Sequence, residues 1–188
     1  MARDTSTSSD LPSAWLMRFS PLIESGFKVL ELACGNGRNT RFLASLGCQV
    51  TAVDINPMPE VPAGVDFLRY DLENSPWPFE KNSFDVVIGI NYLWRRHFPQ
   101  LRDSLKLNGL FLYETFNEEQ SILMGRPKNP EHFLKIGELL TLVDPNWRIL
   151  AFEDGVNERE QYLQRIAARK CLIKNMLLPN SIRLCVAR

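Results

Sequence analysis

Three times in its first half the chain runs from apolar, β-forming residues to an acid and then into a loop. Val29, Leu30 and Leu32 surround Glu31 just before Gly35 and Gly37. Gln49 to Val53 ends at Asp54, and prolines 57, 59 and 62 follow. Val65 to Tyr70 ends at Asp71. Between the first two runs, Arg38 to Leu46 carries Phe42, Leu43 and Leu46 at helical spacing, with Gly47 as the stop. A strand–helix–strand alternation of this kind predicts a parallel, doubly wound sheet, whose ligands lie beyond the carboxyl ends of the strands. Repeated acids at those ends read as a ligand site.

The same grammar continues. Phe84 to Ile90 is the most apolar run and belongs at the sheet centre. Phe98 to Leu107 reads as a helix stopped by Asn108-Gly109, and Leu110 to Tyr113 as a fifth strand ending at Glu114 and Thr115. Near the start, Asp10 to Phe19 reads as a short helix that packs Trp15 and Phe19 into the core. Trp147 to Phe152 reads as a strand, with a turn at Asp154-Gly155. Its antiparallel partner is either Gln161 to Ala168, the preferred choice, or Ile182 to Val186. Residues 116–136, with Gly125-Arg126-Pro127-Lys128-Asn129-Pro130, read as a long irregular insertion and a substrate lid.

Val29 to Gly37 has the form hydrophobic-x-acid-x-(Gly/Ala)-Cys-Gly-x-Gly and resembles the first motif of the class I S-adenosylmethionine (SAM) dependent methyltransferases. Phe84 to Tyr92 resembles the fourth motif of that family. Tyr113 to Phe116, Arg126 to Pro130 and Leu134 to Leu140 are similar to small bacterial members related to the tellurite-resistance group. The resemblance implies a seven-stranded, mostly parallel Rossmann-like α/β sheet with an antiparallel C-terminal hairpin. It implies SAM as cofactor and S-adenosylhomocysteine as product. Glu31, Ala33, Gly35 and Gly37 would hold the methionine part, Asp54 and Ile55 the ribose side, and Asp71 and Leu72 the adenine. Asn91 and Tyr92 would lie near the transferred methyl.

The residues themselves give each assignment a physical basis. A carboxylate at position 31 would repel a pyrophosphate but suits a cationic ligand, and Asp54 can accept from two ribose hydroxyls. Methyl transfer needs alignment and exclusion of water more than a dedicated base. His97, Glu114 and Tyr92 are the catalytic candidates, with His97 and Glu114 the possible bases. Arg95, Arg96, Arg126 and Lys128 are candidates for receiving an anionic acceptor.

Composition narrows the remaining classes. With 188 residues and 45% hydrophobic content, one domain is expected, covering 11–188 with a flexible tail at 1–10 and a C-terminal extension at 169–188. Lysine plus arginine equals aspartate plus glutamate at 22 each, so no long-range field gathers nucleic acid or an anionic membrane. Four cysteines form no Cys-x-x-Cys pair and only two histidines are present, so no metal site is expected. A polar start and short apolar runs read as a cytoplasmic protein without a signal peptide or membrane span, a monomer or homodimer acting on a small molecule. Two other readings compete. An NAD(P)-dependent reductase is disfavoured by Thr40, which stands where the third glycine of the dinucleotide fingerprint would fall. A non-catalytic SAM-binding adaptor is the second.

Overall fold

The computed structural model describes residues 11–157 and 159–171. Along them run helix α1 (Ala14–Phe19), β1 (Lys28–Leu32), α2 (Arg38–Ser45), β2 (Gln49–Asp54), β3 (Asp66–Arg69) and β4 (Phe84–Ile90). They are followed by α3 (Phe98–Ser104), β5 (Leu105–Phe116), α4 (Glu118–Met124), α5 (Glu138–Leu142), β6 (Arg148–Val156) and β7 (Tyr162–Arg169). Among the described residues the strands form one seven-stranded sheet in the order β3-β2-β1-β4-β5-β7-β6. The first five pair in parallel, while β7 is antiparallel to both β5 and β6. This is the doubly wound sheet expected from the alternation, with the C-terminal hairpin that the resemblance implies.

Apolar residues on both sides of the strands explain the layering. Trp15, Leu16 and Leu43 from α1 and α2 pack with Val29, Val50, Val86 and Ile88 on one face. Phe98, Leu101 and Leu139 from α3 and α5 pack with Leu30, Val87, Phe111 and Tyr113 on the other. β4 sits between β1 and β5 and is buried at six of its seven positions, as its unbroken apolar run requires. The chain moves outward from β1 to β3 and then returns to place β4 beside β1, so the strand order reverses between β1 and β4. Crevices in open α/β sheets form at such a reversal. There Ala33 (φ 49°) and Asn91 (φ 58°), just past the two strands, both adopt the left-handed conformation that few non-glycine residues take.

Three local expectations need correction. The helix read over Phe98 to Leu107 ends at Ser104, because Leu105 pairs with Phe84 and begins β5. Lys106 then reaches Asp85, with Nζ 2.8 and 2.9 Å from its two carboxylate oxygens. Asp154 and Gly155 stay within β6, opposite Gln164 and Leu163. The turn comes later: Asn157 Oδ1 accepts from the Arg159 and Gln161 amides (2.9 and 3.0 Å), a side-chain-capped reversal. Residues 116–136 are not wholly irregular, since α4 occupies the first part and ends at Gly125 (φ 69°). The excursion closes where Leu134 N donates to Phe116 O and Glu118 N to Leu134 O.

The preferred return strand is observed as β7, while Ile182 to Val186, the 1–10 tail and most of the 169–188 extension lie outside the described residues. Among the described residues no helix is long and apolar enough to cross a membrane.

Candidate active site

Two clefts open at the strand ends on either side of the β1/β4 reversal. The first, about 420 Å³, is lined by Ala33, Asp54, Ile55, Asn56, Tyr92, His132 and the segment Tyr70 to Asn74. Asp54 is held in place by the loop it faces, because its Oδ2 accepts from Gly35 N at 2.9 Å and its Oδ1 from Asn56 N at 2.8 Å. Each oxygen still has a lone pair for a ligand. Beside it Ile55 is 55% exposed, an apolar side chain left facing solvent at a site edge. Asp71 Oδ1 accepts from the Glu73 and Asn74 amides, and its Oδ2 from Asn74 Nδ2 at 2.9 Å. The Asn74 bond keeps its carboxyl below the usual range and so charged. Leu72 is buried against the same wall. No lysine or arginine lines this acidic cleft among the described residues.

The second cleft, about 290 Å³, is lined by Ser13, Ala14, Asn36, Arg38, Asn91, Glu114, Asn157, Arg159, Gln161 and Arg165. Glu114 lies at its base, 7% exposed, accepting from Ser13 Oγ at 3.1 Å and facing Arg165 Nη1 at 3.6 Å. Burial pushes its pKa up, and Ser13 and Arg165 oppose that rise. Ser13 is there because it caps α1, its Oγ accepting from the Trp15 and Leu16 amides, and its own amide donates to Asn39 Oδ1 at 2.8 Å. Thus α1 is pinned between the start of α2 and the end of β5. Asn91 donates its amide to Glu114 O at 2.7 Å, so the exits of β4 and β5 are tied together.

The glycines of the connecting loop differ in purpose. Gly35 (φ 57°) has open space where a Cβ would project, so its requirement is conformational. At Gly37 (φ 79°) a Cβ would also meet Met58 Sδ at 2.8 Å. That glycine lets the β2–β3 loop close down on the N-terminus of α2.

Several sequence-predicted residues take other positions. Glu31 lines neither cleft; it is 1% exposed beneath α2, where its Oε2 accepts from Thr40 Oγ1 at 2.5 Å. Desolvation raises its pKa to about 7 against the opposing Thr40 and Asn39 hydrogen bonds. His97 is not at the strand ends either. It is 6% exposed, its Nε2 meets Leu72 O at 2.8 Å, its ring lies against Trp77, and burial lowers its pKa. This supports the wall of the acidic cleft rather than general-base work. Tyr92 lines the acidic cleft and Asn91 the other, so these neighbours face different spaces. Burial raises the Tyr92 pKa well above the ordinary phenol, and its hydroxyl has no hydrogen-bond partner among the described residues.

The four basic candidates separate completely. Arg95 is committed to structure: its Nε and Nη2 grip Glu138 Oε1 and Oε2 at 2.6 and 3.0 Å. The same guanidinium also donates to the carbonyls of Pro130, Glu131 and Phe133. This fork fastens the 130–138 segment to the β4 exit and leaves no donor geometry for a ligand. Arg96 is exposed, with its guanidinium 5.7 Å from the Trp94 ring centroid, and Lys128 is exposed, and neither lines either cleft. Arg126 does line a cleft, an outer one beside the second. The residues missed by sequence reasoning are Ser13, Arg38, Arg159, Gln161 and Arg165. Arg38 carried a weak signal as the first residue of the helix after the glycines; the others come together only through the α1 cap and the β6–β7 hairpin.

Comparisons with known proteins agree with the fold. A family model described as a methyltransferase domain matches residues 5–168. The mitochondrial ubiquinone biosynthesis O-methyltransferase of Schizosaccharomyces pombe is 30% identical over 131 residues, 60% of this chain and 46% of that one, so the match spans under half of that relative. Among solved structures, a SAM-dependent methyltransferase from Methanosarcina mazei superposes with a TM-score of 0.63 at 18% identity, covering 86% of this chain and 99% of that one. The Burkholderia thailandensis 1,6-didemethyltoxoflavin-N1-methyltransferase, solved with 1,6-didemethyltoxoflavin and S-adenosylhomocysteine, gives 0.59 at 16% identity, with 82% and 76% covered.

Proposed function

This chain belongs to the methyltransferase-domain family, and from that premise we propose that it transfers a methyl group from SAM to a small-molecule acceptor held in the Glu114 cleft. The observation that carries the reading is the charge of the acidic cleft. A nucleotide cofactor with phosphates needs cations or free helix-terminal amides, whereas here Asp54, Asp71 and Glu73 line the space around Ile55 and Leu72 without a lysine or arginine among the described residues. An uncharged adenosine fits that combination. Asp54 would hold the ribose hydroxyls on its spare lone pairs, Ile55 and Leu72 would flank the purine, and Asp71 would accept from its amino group. Asn36 and Arg38 would receive the methionine end, the guanidinium suiting its carboxylate.

When bound, SAM supplies a methyl carbon already activated by the adjacent positive sulfur. What remains for the protein is alignment and proton handling. Asn91, next to the β4 end, and the amide-linked exit of β5 fix the floor on which the acceptor rests. Glu114, as the carboxylate, receives the proton that an oxygen or nitrogen acceptor must lose, and its raised pKa makes it a stronger base than a solvated glutamate. Arg165 stays beside it, with Nε 2.6 Å from Glu153 Oε2, and holds the carboxylate's position. α1, clipped by Ser13 to Asn39 and Glu114, shields this point from water.

The S. pombe relative is named for ubiquinone biosynthesis and the B. thailandensis protein was solved with a small heterocycle; both favour a small acceptor here. Calorimetric titration with SAM, S-adenosylhomocysteine, NAD and NADP tests the reading. SAM and its demethylated product should bind and the nicotinamide cofactors should not; the reverse pattern overturns the assignment of the acidic cleft.

A further inference from the structure

Beyond the Glu114 cleft the surface continues into an outer cleft of about 700 Å³, lined by Phe116, Gln120, Met124, Arg126, Pro127, Arg159, Glu160 and Gln161. Arg159 and Gln161 line both spaces, so the two are contiguous. The outer cleft is too large and too far along the β5–β7 side to be needed by a donor that occupies the acidic cleft. Its walls are of two kinds. Phe116, Met124 and Pro127 make an apolar side. Arg126 and Arg159 make a cationic side, opposed among the described residues by the carboxylate of Glu160.

Among the described residues neither Arg126 nor Arg159 forms an ion pair, in contrast to Arg95 and Arg165, which are both bound to glutamates. The frame around them is rigid for structural reasons. Gln120 Oε1 accepts from Tyr162 N at 2.8 Å, which locks α4 to the start of β7, and the Asn157-capped turn holds Arg159. Arg159 also lies close enough to Arg38 for the two like charges to repel, which helps lower the Arg38 pKa after burial. Arg126 and Arg159, which line the same cleft without an ion-pair partner among the described residues, form a cationic wall suited to an anion.

We propose that the outer cleft is the acceptor's recognition site and selects an amphiphilic monoanion: an aromatic or aliphatic body against Phe116, Met124 and Pro127, and a carboxylate or comparable anionic group between Arg126 and Arg159. This rests on the methyl-transfer reading, in which the acceptor's nucleophilic atom extends past Gln161 into the Glu114 cleft. The anion and the nucleophile are then different parts of one molecule. The outer cleft sets which molecule is taken, and the inner one does the chemistry.

The probes are 2-naphthoate and its uncharged amide, 2-naphthamide, titrated into the full chain saturated with S-adenosylhomocysteine. The acid should bind at least tenfold more tightly than the amide. Arg126→Gln and Arg159→Gln should each remove most of that preference, and Arg126→Gln should leave S-adenosylhomocysteine affinity unchanged. Equal affinity for acid and amide, no naphthoate binding up to millimolar concentration, or a preference unaltered by both substitutions overturns the proposal. Failure of S-adenosylhomocysteine itself to bind instead overturns the donor assignment, so the two failures are distinguishable.

Discussion

On the β1–β2–β3 side, the acidic cleft is built, apart from Tyr92 and His132, from residues at or just after the ends of three strands: Ala33 after β1, Asp54 and Ile55 at the end of β2, and Tyr70 to Asn74 after β3. On the β5–β7–β6 side, the inner and outer clefts draw on an N-terminal cap, a strand end, a helix and a hairpin turn that are remote in sequence. The chemistry differs in the same way. Carboxylates fixed by backbone amides dominate the first side, and arginines held on long strands or turns dominate the second. On the proposed reading, the donor is served by local, strand-end geometry and the acceptor by parts assembled from across the chain.

Substitutions on each side sharpen this contrast. The largest effect is expected at Glu114. Glu114→Gln keeps the Ser13 hydrogen bond but removes the base, so turnover of an oxygen or nitrogen acceptor should fall by about 100-fold or more, while S-adenosylhomocysteine affinity stays within a small factor. Steady-state kinetics paired with calorimetry reads both. Loss of affinity in step with turnover would move Glu114 to the donor side and erase the distinction.

A smaller effect separates Glu31 from the clefts it was expected to join. Its folded pKa is raised from 4.5 to about 7. Below pH 4.5 the side chain is protonated both folded and unfolded, and burial costs no charge. Between pH 4.5 and 7 the folded protein keeps a proton that the unfolded chain has released, so stability falls as pH rises through that window and levels off above it. Glu31→Gln has no charge to bury and can still partner Thr40. At pH 8 it should be more stable than the unsubstituted protein by roughly 1–3 kcal/mol, and the gain should vanish near pH 4.5. Chemical denaturation at several pH values measures this, and a pH-independent difference would mean that packing rather than charge dominates.

The contrast between the two sides also explains what could be read from the sequence. The strand-end positions of the glycine loop, Asp54 and Asp71 were legible because a parallel strand, its end and the following turn are consecutive residues with one periodicity, whereas the burial of Glu31 beneath α2 was not. β4 was legible from its unbroken apolar run. The helix read through Leu107 failed because Leu105 and Lys106 suit either state locally, and pairing with Phe84 and Asp85 decides between them. Arg95 and Arg126 look alike as sequence, and only the presence of Glu138 beside one of them separates a structural clamp from a cleft residue. The surroundings of His97 were hidden for a related reason: a histidine ahead of a helix gives no hint that Leu72 O, 25 residues back, meets its Nε2. Asp154-Gly155 is a strong turn pair by composition, but Asn157 offers a better cap a few residues later.

The division of labour between the two sides is tested most directly by S-adenosylhomocysteine affinity measured by calorimetry for Asp54→Ala and Arg126→Gln beside the unsubstituted chain. Asp54→Ala should weaken binding about tenfold or more, roughly 1.4 kcal/mol, with the fold intact by circular dichroism, and Arg126→Gln should leave it unchanged. Unchanged affinity in Asp54→Ala, or equal losses in both variants, would contradict a donor site built at the β1–β2–β3 strand ends.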